Sequence, residues 1–224
     1  AIPETKALFA STANYATWDD HDFGPNDADR SWWGKHNTLE AFSLFWPNPS
    51  YGVMDKPGVT TTFELVDVQV FMLDDRYYRS ANDRKDGDRT ILGEHQIQWL
   101  IDALSASTAT FKVIVVGSQF LTDNLRKECF SRMPEERKRI IDLITLNKIS
   151  GVLFVTGDIH AAELSKLDRP GTYPLYELTS SSLTAGSNKS IADQPNTYRV
   201  PGTEYGAHNF GLINVSGPRG ARIL

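Results

Sequence analysis

The chain has 224 residues, 40% hydrophobic and 11% aromatic, enough to bury the core of one large domain spanning 1-224. A formal charge of -5, with Lys and Arg scattered rather than banked, argues against nucleic acid as a main partner. The single cysteine, Cys129, excludes an intramolecular disulfide. No apolar run approaches the roughly 20 residues that cross a bilayer, and no signal-peptide pattern opens the chain.

In chain order, Thr5 to Tyr15 predicts a short helix, followed by a brief strand over Tyr15 to Trp18. Next comes Trp18-Asp19-Asp20-His21-Asp22-Phe23-Gly24-Pro25-Asn26-Asp27. Asp, Asn, Gly and Pro disfavour regular structure, so this stretch reads as a loop. Four carboxylates set so close repel one another unless a cation sits among them. Trp18 and Phe23 bracket them with large apolar groups that favour burial. Leu39, Phe42, Phe45 and Trp46 recur at helical spacing until Pro47 stops the pattern, and Trp32 and Trp33 are expected beneath that helix.

Thr60 to Leu65 and Asp67 to Leu73 read as a β-hairpin, rich in Thr, Val and Phe. It ends in Leu73-Asp74-Asp75-Arg76-Tyr77-Tyr78-Arg79, either a salt-bridged turn or part of a site. Ser80 to Thr90 is almost wholly polar and reads as a mobile surface loop. Gly93 to Ser105 is an amphipathic helix. Phe111 to Val116 has the continuous apolar run of a strand buried on both faces. A helix over Glu135 to Asn147 carries Arg137, Lys138 and Arg139 as a solvated face. Strands are expected over Gly151 to Thr156, Tyr173 to Thr179 and Asn209 to Val215. This rhythm is that of βαβ units in a mixed sheet, so Ser118-Gln119 and Asp158-His160 are expected at one sheet edge.

Gly157-Asp158-Ile159-His160 offers an Asp oxygen and a His nitrogen just after a strand, both ordinary metal ligands. The alternative is a capping Asp and a packed His. In the acidic loop, Asp20 and His21 are adjacent and point different ways, so one can bind metal while the other faces substrate. Asp19, Asp22, Asp27 and Asn26 add oxygen donors suited to hard cations. Two ions in such a site would bind a phosphoryl group and generate a hydroxide nucleophile. His21 would act as general acid, and Arg76 or Arg79 would clamp a phosphate oxygen. A serine hydrolase fits less well, because Gly117-Ser118-Gln119-Phe120 is not the Gly-x-Ser-x-Gly elbow. A glycosidase would leave both histidines unused.

These motifs together resemble the PhoD-like alkaline phosphatases of the calcineurin-like metallophosphoesterase superfamily. Trp18 to Asp27 is similar to their Trp-Asp-Asp-His-Asp/Glu signature, and Leu73 to Arg79 to Leu-Asp-x-Arg-x-Tyr-Arg. Leu92 to Leu100 is similar to Leu-Gly-x-x-Gln-x-x-Trp-Leu, Gly157 to His160 to Gly-Asp-x-His, and Asn209-Phe210-Gly211 to the closing strand.

The resemblance implies an α/β (α+β) fold, a two-sheet β-sandwich flanked by helices. It implies a metal-dependent hydrolase of phosphate monoesters or diesters acting on a small-molecule, lipid or polymer phosphoester outside the cytoplasm. Asp20, Asp158 and His160 would ligate two metal ions (iron, calcium, zinc or manganese), with His21 and Arg76 catalytic and Arg79 and Asn26 binding substrate. Only 17 residues precede the acidic loop, without His or Asp, so the superfamily's first motifs are expected in another chain, in an upstream segment outside this sequence, or nowhere. A catalytically incomplete fragment serving as a structural or binding module is the alternative.

Overall fold

A computed structural model describes residues 3–224. Alternating Thr and Val-rich segments form the hairpin β1 (Thr61–Leu65) and β2 (Val68–Met72), paired antiparallel from Thr61 opposite Met72 to Leu65 opposite Val68. The apolar runs become β3 (Phe111–Val115) and β4 (Val152–Thr156), followed by β5 (Ala162–Leu167) and β6 (Leu175–Ser180). The six strands make one mixed sheet in the order β1-β2-β3-β4-β6-β5. β2, β3, β4 and β6 run parallel, so their C-terminal ends share one edge.

Helices α4 (Glu94–Ala106) and α5 (Pro134–Leu146) cover one face of this sheet. Ile97, Leu100 and Leu104 from α4 and Ile140 and Ile144 from α5 pack with Phe71, Ile114 and Phe154 in the main core. Phe120 stacks on Phe154 with ring centroids 4.1 Å apart. Preceding the sheet are α1 (Pro3–Ser11), the single turn α2 (Asp20–Phe23) and α3 (Lys35–Phe45). A second core of Trp18, Phe23, Phe42, Val59 and Tyr77 lies beneath α2, with Trp18 edge-on to Phe23 and Phe42.

The mixed α/β class and the flanking helices are as expected, and the strands of the described residues form one six-stranded sheet. Several local expectations change. The acidic stretch contains the helical turn α2, and no strand precedes it over residues 15–18. Residues 209–215 join no strand ladder. Trp33 is 80% exposed, while Trp32 packs against the second core. Arg137 does not belong to a wholly solvated face: its guanidinium donates through Nε to the Phe120 carbonyl at 2.8 Å. The polar segment after Arg79 is anchored at both ends, because Ser80 and Thr90 are buried and Ser80 Oγ donates to Thr90 O at 2.9 Å.

Candidate metal centre and active-site cleft

The site forms where the β3 and β4 ends meet α2. Gly157 N donates to Gly117 O at 2.9 Å, continuing the pairing past both strands. A Cβ added to Gly117 would lie 2.8 Å from the Asp19 carboxyl carbon, so glycine is what lets the acidic turn approach the sheet edge. Asp74 fixes that turn from below. Its carboxylate is fully buried and accepts from Trp18 Nε1 at 2.8 Å, from the backbone N–H of Arg76 and Tyr77 at 2.9 Å, and from Val59 N at 3.0 Å.

Inside this frame Asp20 is buried, its Oδ1 accepting from His21 N at 2.8 Å and its Oδ2 from Asp27 N at 3.0 Å. Among the described residues two carboxylate triplets have ligand oxygens within 4.8 Å of one another: Asp19, Asp20 and Asp158, and Asp20, Asp27 and Glu128. Asp20 belongs to both. Asp158 sits at φ 67°, in the left-handed region that Asp tolerates better than most side chains. Burial and the neighbouring Asp20 push its carboxyl from the ordinary 3.8 up to about 6. Burial, and then Asp75, raise Asp19 well above the carboxylate range. Asp19 Oδ2 has no hydrogen-bond donor.

Beneath the carboxylates lie two buried arginines. Arg76 and Arg79 have fully buried side chains. Arg76 donates through Nε to Asp19 Oδ1 at 2.7 Å, and its Nη2 pairs with Glu128 Oε2 at 2.6 Å. Arg79 Nη2 lies 3.1 Å from Glu128 Oε1. Their charge offsets part of the acidic excess from below. The expectation that Arg76 or Arg79 clamps a phosphate oxygen is not met: both guanidinium groups engage carboxylates beneath the floor, and neither residue lines the cleft.

The cleft above measures about 680 Å³ and is lined by Asp20, His21, Asn26, Asp158 and His160 among others. Thus the two Asp/His motifs, 138 positions apart (158 − 20), share one cavity. His21 is largely exposed, with Nε2 3.8 Å from Asp20 Oδ2. His160 is exposed on the wall at φ 57° and lies outside both triplets. The sequence offered Asp19 as one of several further oxygen donors, not among the ligands Asp20, Asp158 and His160, and gave Glu128 no part. The signal for Asp19 was in hand, since it adjoins Asp20. Glu128 stands between Lys127 and Cys129 with no local pattern to mark it.

The donor set fits a hard cation. It is all oxygen, it is short of positive charge, and it includes an orphaned buried carboxylate oxygen.

A family model described as PhoD-like phosphatase matches residues 2–217. The chain belongs to the PhoD-like phosphatase family. It is 27% identical over 195 residues to alkaline phosphatase D of Bacillus subtilis (strain 168), a match covering 72% of this chain and 33% of that protein. A solved structure described as the structure of PhoD superposes with a TM-score of 0.62 at 24% identity, covering 77% of this chain and 40% of the other. That likeness shows the fold. The PhoD-like chain thus spans about a third of the length of this curated relative.

Proposed function

We propose that this PhoD-like chain carries the C-terminal portion of the catalytic domain of a metal-dependent phosphoesterase that hydrolyses phosphate monoesters and diesters outside the cytoplasm. The convergence of Asp19, Asp20 and Asp158 in one cleft, with ligand oxygens within 4.8 Å of one another, is the observation that carries this reading. These three residues would hold one cation, and Asp27 and Glu128 with the shared Asp20 would hold a second. When bound, such ions neutralise and polarise a phosphoryl group and activate water.

The rest falls to the protein's own side chains. Arg76, Arg79 and Asp74 fix the floor, so the carboxylates are set before substrate arrives. His21 reaches into the cleft mouth beside Asp20, where it delivers a proton to the leaving alkoxide. His160 faces the same space from the opposite wall, and Asn26 offers its amide to a phosphoryl oxygen.

The test uses the native-length protein stripped of metal by chelation. Calcium, manganese, iron and zinc are added back in turn, with propyl phosphate, p-nitrophenyl phosphate and bis(p-nitrophenyl) phosphate as substrates. At least one ion should restore hydrolysis. His21→Ala should slow propyl phosphate by about 100-fold or more, the size of a general acid's contribution, and p-nitrophenyl phosphate far less, since nitrophenolate leaves without a proton. Absence of hydrolysis with every ion overturns the proposal, and equal losses on both leaving groups overturn the role of His21.

A further inference from the structure

Each cation triplet takes two carboxylates from the acidic stretch and one from elsewhere: Asp158 in the first, Glu128 in the second. These two outlying ligands ride on separate loops that leave the paired strands β4 and β3. At their roots the loops are joined by a fully buried carboxylate, Glu177. Its oxygens accept from Phe120 N at 2.6 Å, Leu121 N at 2.7 Å and Thr156 Oγ1 at 2.8 Å.

Further out, the amide of Gln194 spans the two loops. Its Oε1 accepts from Asn124 Nδ2 at 3.2 Å, and its Nε2 donates to Asn188 Oδ1 at 3.1 Å. On the Glu128 side, Asn124 is buried, with Oδ1 accepting from Arg126 N and its carbonyl from Lys127 N, both at 3.2 Å. On the Asp158 side, Asn188 donates through its backbone N to His160 O at 2.7 Å and through Nδ2 to Ile159 O at 3.1 Å. Asp158 and His160 both occupy the left-handed region, at φ 67° and 57°, so this backbone depends on outside contacts to stay there.

Asn124 turns its donor toward Gln194, and Asn188 turns its acceptor. A side chain joining them must therefore accept at one end and donate at the other, as an amide does. The segment that carries Gln194 is held independently. Asn196 Nδ2 donates to Glu163 Oε1 at 2.9 Å and Ser165 Oγ at 3.0 Å, and Thr197 donates to the Asp123 carboxylate through N at 2.9 Å and Oγ1 at 2.7 Å. Loss of the Gln194 amide cuts the tie without releasing the segment.

We propose that Gln194 is a positioning residue for the metal centre: its amide fixes the Asp158 loop against the Glu128 loop and so holds the outlying ligands of the two cation sites in register. The inference rests on the phosphoesterase reading above.

The test titrates manganese and calcium by calorimetry into the native-length, metal-free wild type, Gln194→Met and Asn196→Ala, with circular dichroism confirming each fold. Gln194→Met keeps the side chain's length and loses both hydrogen bonds. Asn196→Ala loosens the same segment and leaves the tie. Gln194→Met should weaken cation binding about tenfold, the lower end for groups that orient ligands from outside the coordination shell, and Asn196→Ala less than about twofold. Gln194→Ala should repeat the loss. With metal saturating, kcat of Gln194→Met on propyl phosphate should fall about tenfold and KM should move less than about twofold, because the ions act on the chemical step.

If Gln194→Met binds as the wild type does, or Asn196→Ala loses as much, Gln194 only stabilises its segment and the inference is overturned. A wild type that binds neither ion overturns it too. If the wild type binds metal but hydrolyses neither propyl phosphate nor p-nitrophenyl phosphate, the phosphoesterase reading fails, and the calorimetric comparison decides the inference by itself.

Discussion

Replacing Asp158 by Asn puts a number on the electrostatic cost of gathering these carboxylates without a cation. In the folded protein burial and Asp20 hold this carboxyl at about 6 against an ordinary 3.8. The folded state therefore keeps its proton to higher pH than the unfolded chain. The penalty from this one group is absent below about pH 4, grows as pH rises through about 6, and is complete above that. At 1.36 kcal/mol per tenfold, ionising Asp158 without a cation costs on the order of 3 kcal/mol.

Asn keeps the shape, removes the charge and accepts the left-handed backbone found here. Asp158→Asn should thus stabilise the metal-free protein at pH 8 by about 1–3 kcal/mol, or roughly 2–10 °C in melting temperature for a chain of this size. Near pH 4 the two proteins should melt together. Adding a divalent cation should raise the wild type, by the usual mass-action term, and the variant much less. Differential scanning calorimetry across pH 4–8, with and without manganese or calcium, reads all of this. An Asn variant that is less stable than wild type at every pH would refute the reasoning.

Two other substitutions probe the frame. Arg76→Met leaves Asp19 and Glu128 without their buried partner and should cost about 3–5 kcal/mol in urea unfolding with an unchanged slope. Adding Glu128→Gln to it should recover part of that loss, and additive losses would show that the pair is not coupled. On the helical side, Arg139 Nη2 donates to Glu94 Oε1 at 2.7 Å between α5 and α4, and these bonds lower the Glu94 carboxyl to about 2. A depressed carboxyl stabilises above its ordinary value of 4.5, and that contribution fades as pH falls toward about 2. The pair is half exposed, so Glu94→Gln should cost at most about 1 kcal/mol at pH 7, with the deficit shrinking in melts taken down to pH 3.

What the sequence disclosed follows the physics of each element. α4 and α5 carry clean periodicity because one face of each packs on the main core, and β3 and β4 carry continuous apolar runs because both their faces are covered. β5 escaped notice because two of its buried side chains are polar. Glu163 is 2% exposed and paired with Arg199, and Ser165 is fully buried, so the expected apolar alternation is broken. The stretch 209–215 looks like a strand by residue type but joins no strand ladder.

In the site, Asp158 and His160 were legible because Gly, Asp and His are concentrated where β4 ends, and Asp20 and His21 because they fall in a dense acidic stretch between Trp18 and Phe23. Their grouping depended on parallel strands bringing distant loops to one edge. Glu128 was not legible. Its meaning comes from buried Arg76 and Arg79, far away in sequence.

The central claim is that Asp20 is the member shared by two cation-binding triplets. Calorimetric titration of manganese or calcium into metal-free wild type, Asp20→Ala and Asp22→Ala tests it most directly, with circular dichroism confirming that each variant is folded. Asp22 lies on the same helical turn and outside both triplets, so its variant should bind as the wild type does. Asp20→Ala should lose measurable binding of every ion. Unchanged stoichiometry and affinity in Asp20→Ala, or an equal loss in Asp22→Ala, would contradict the assignment.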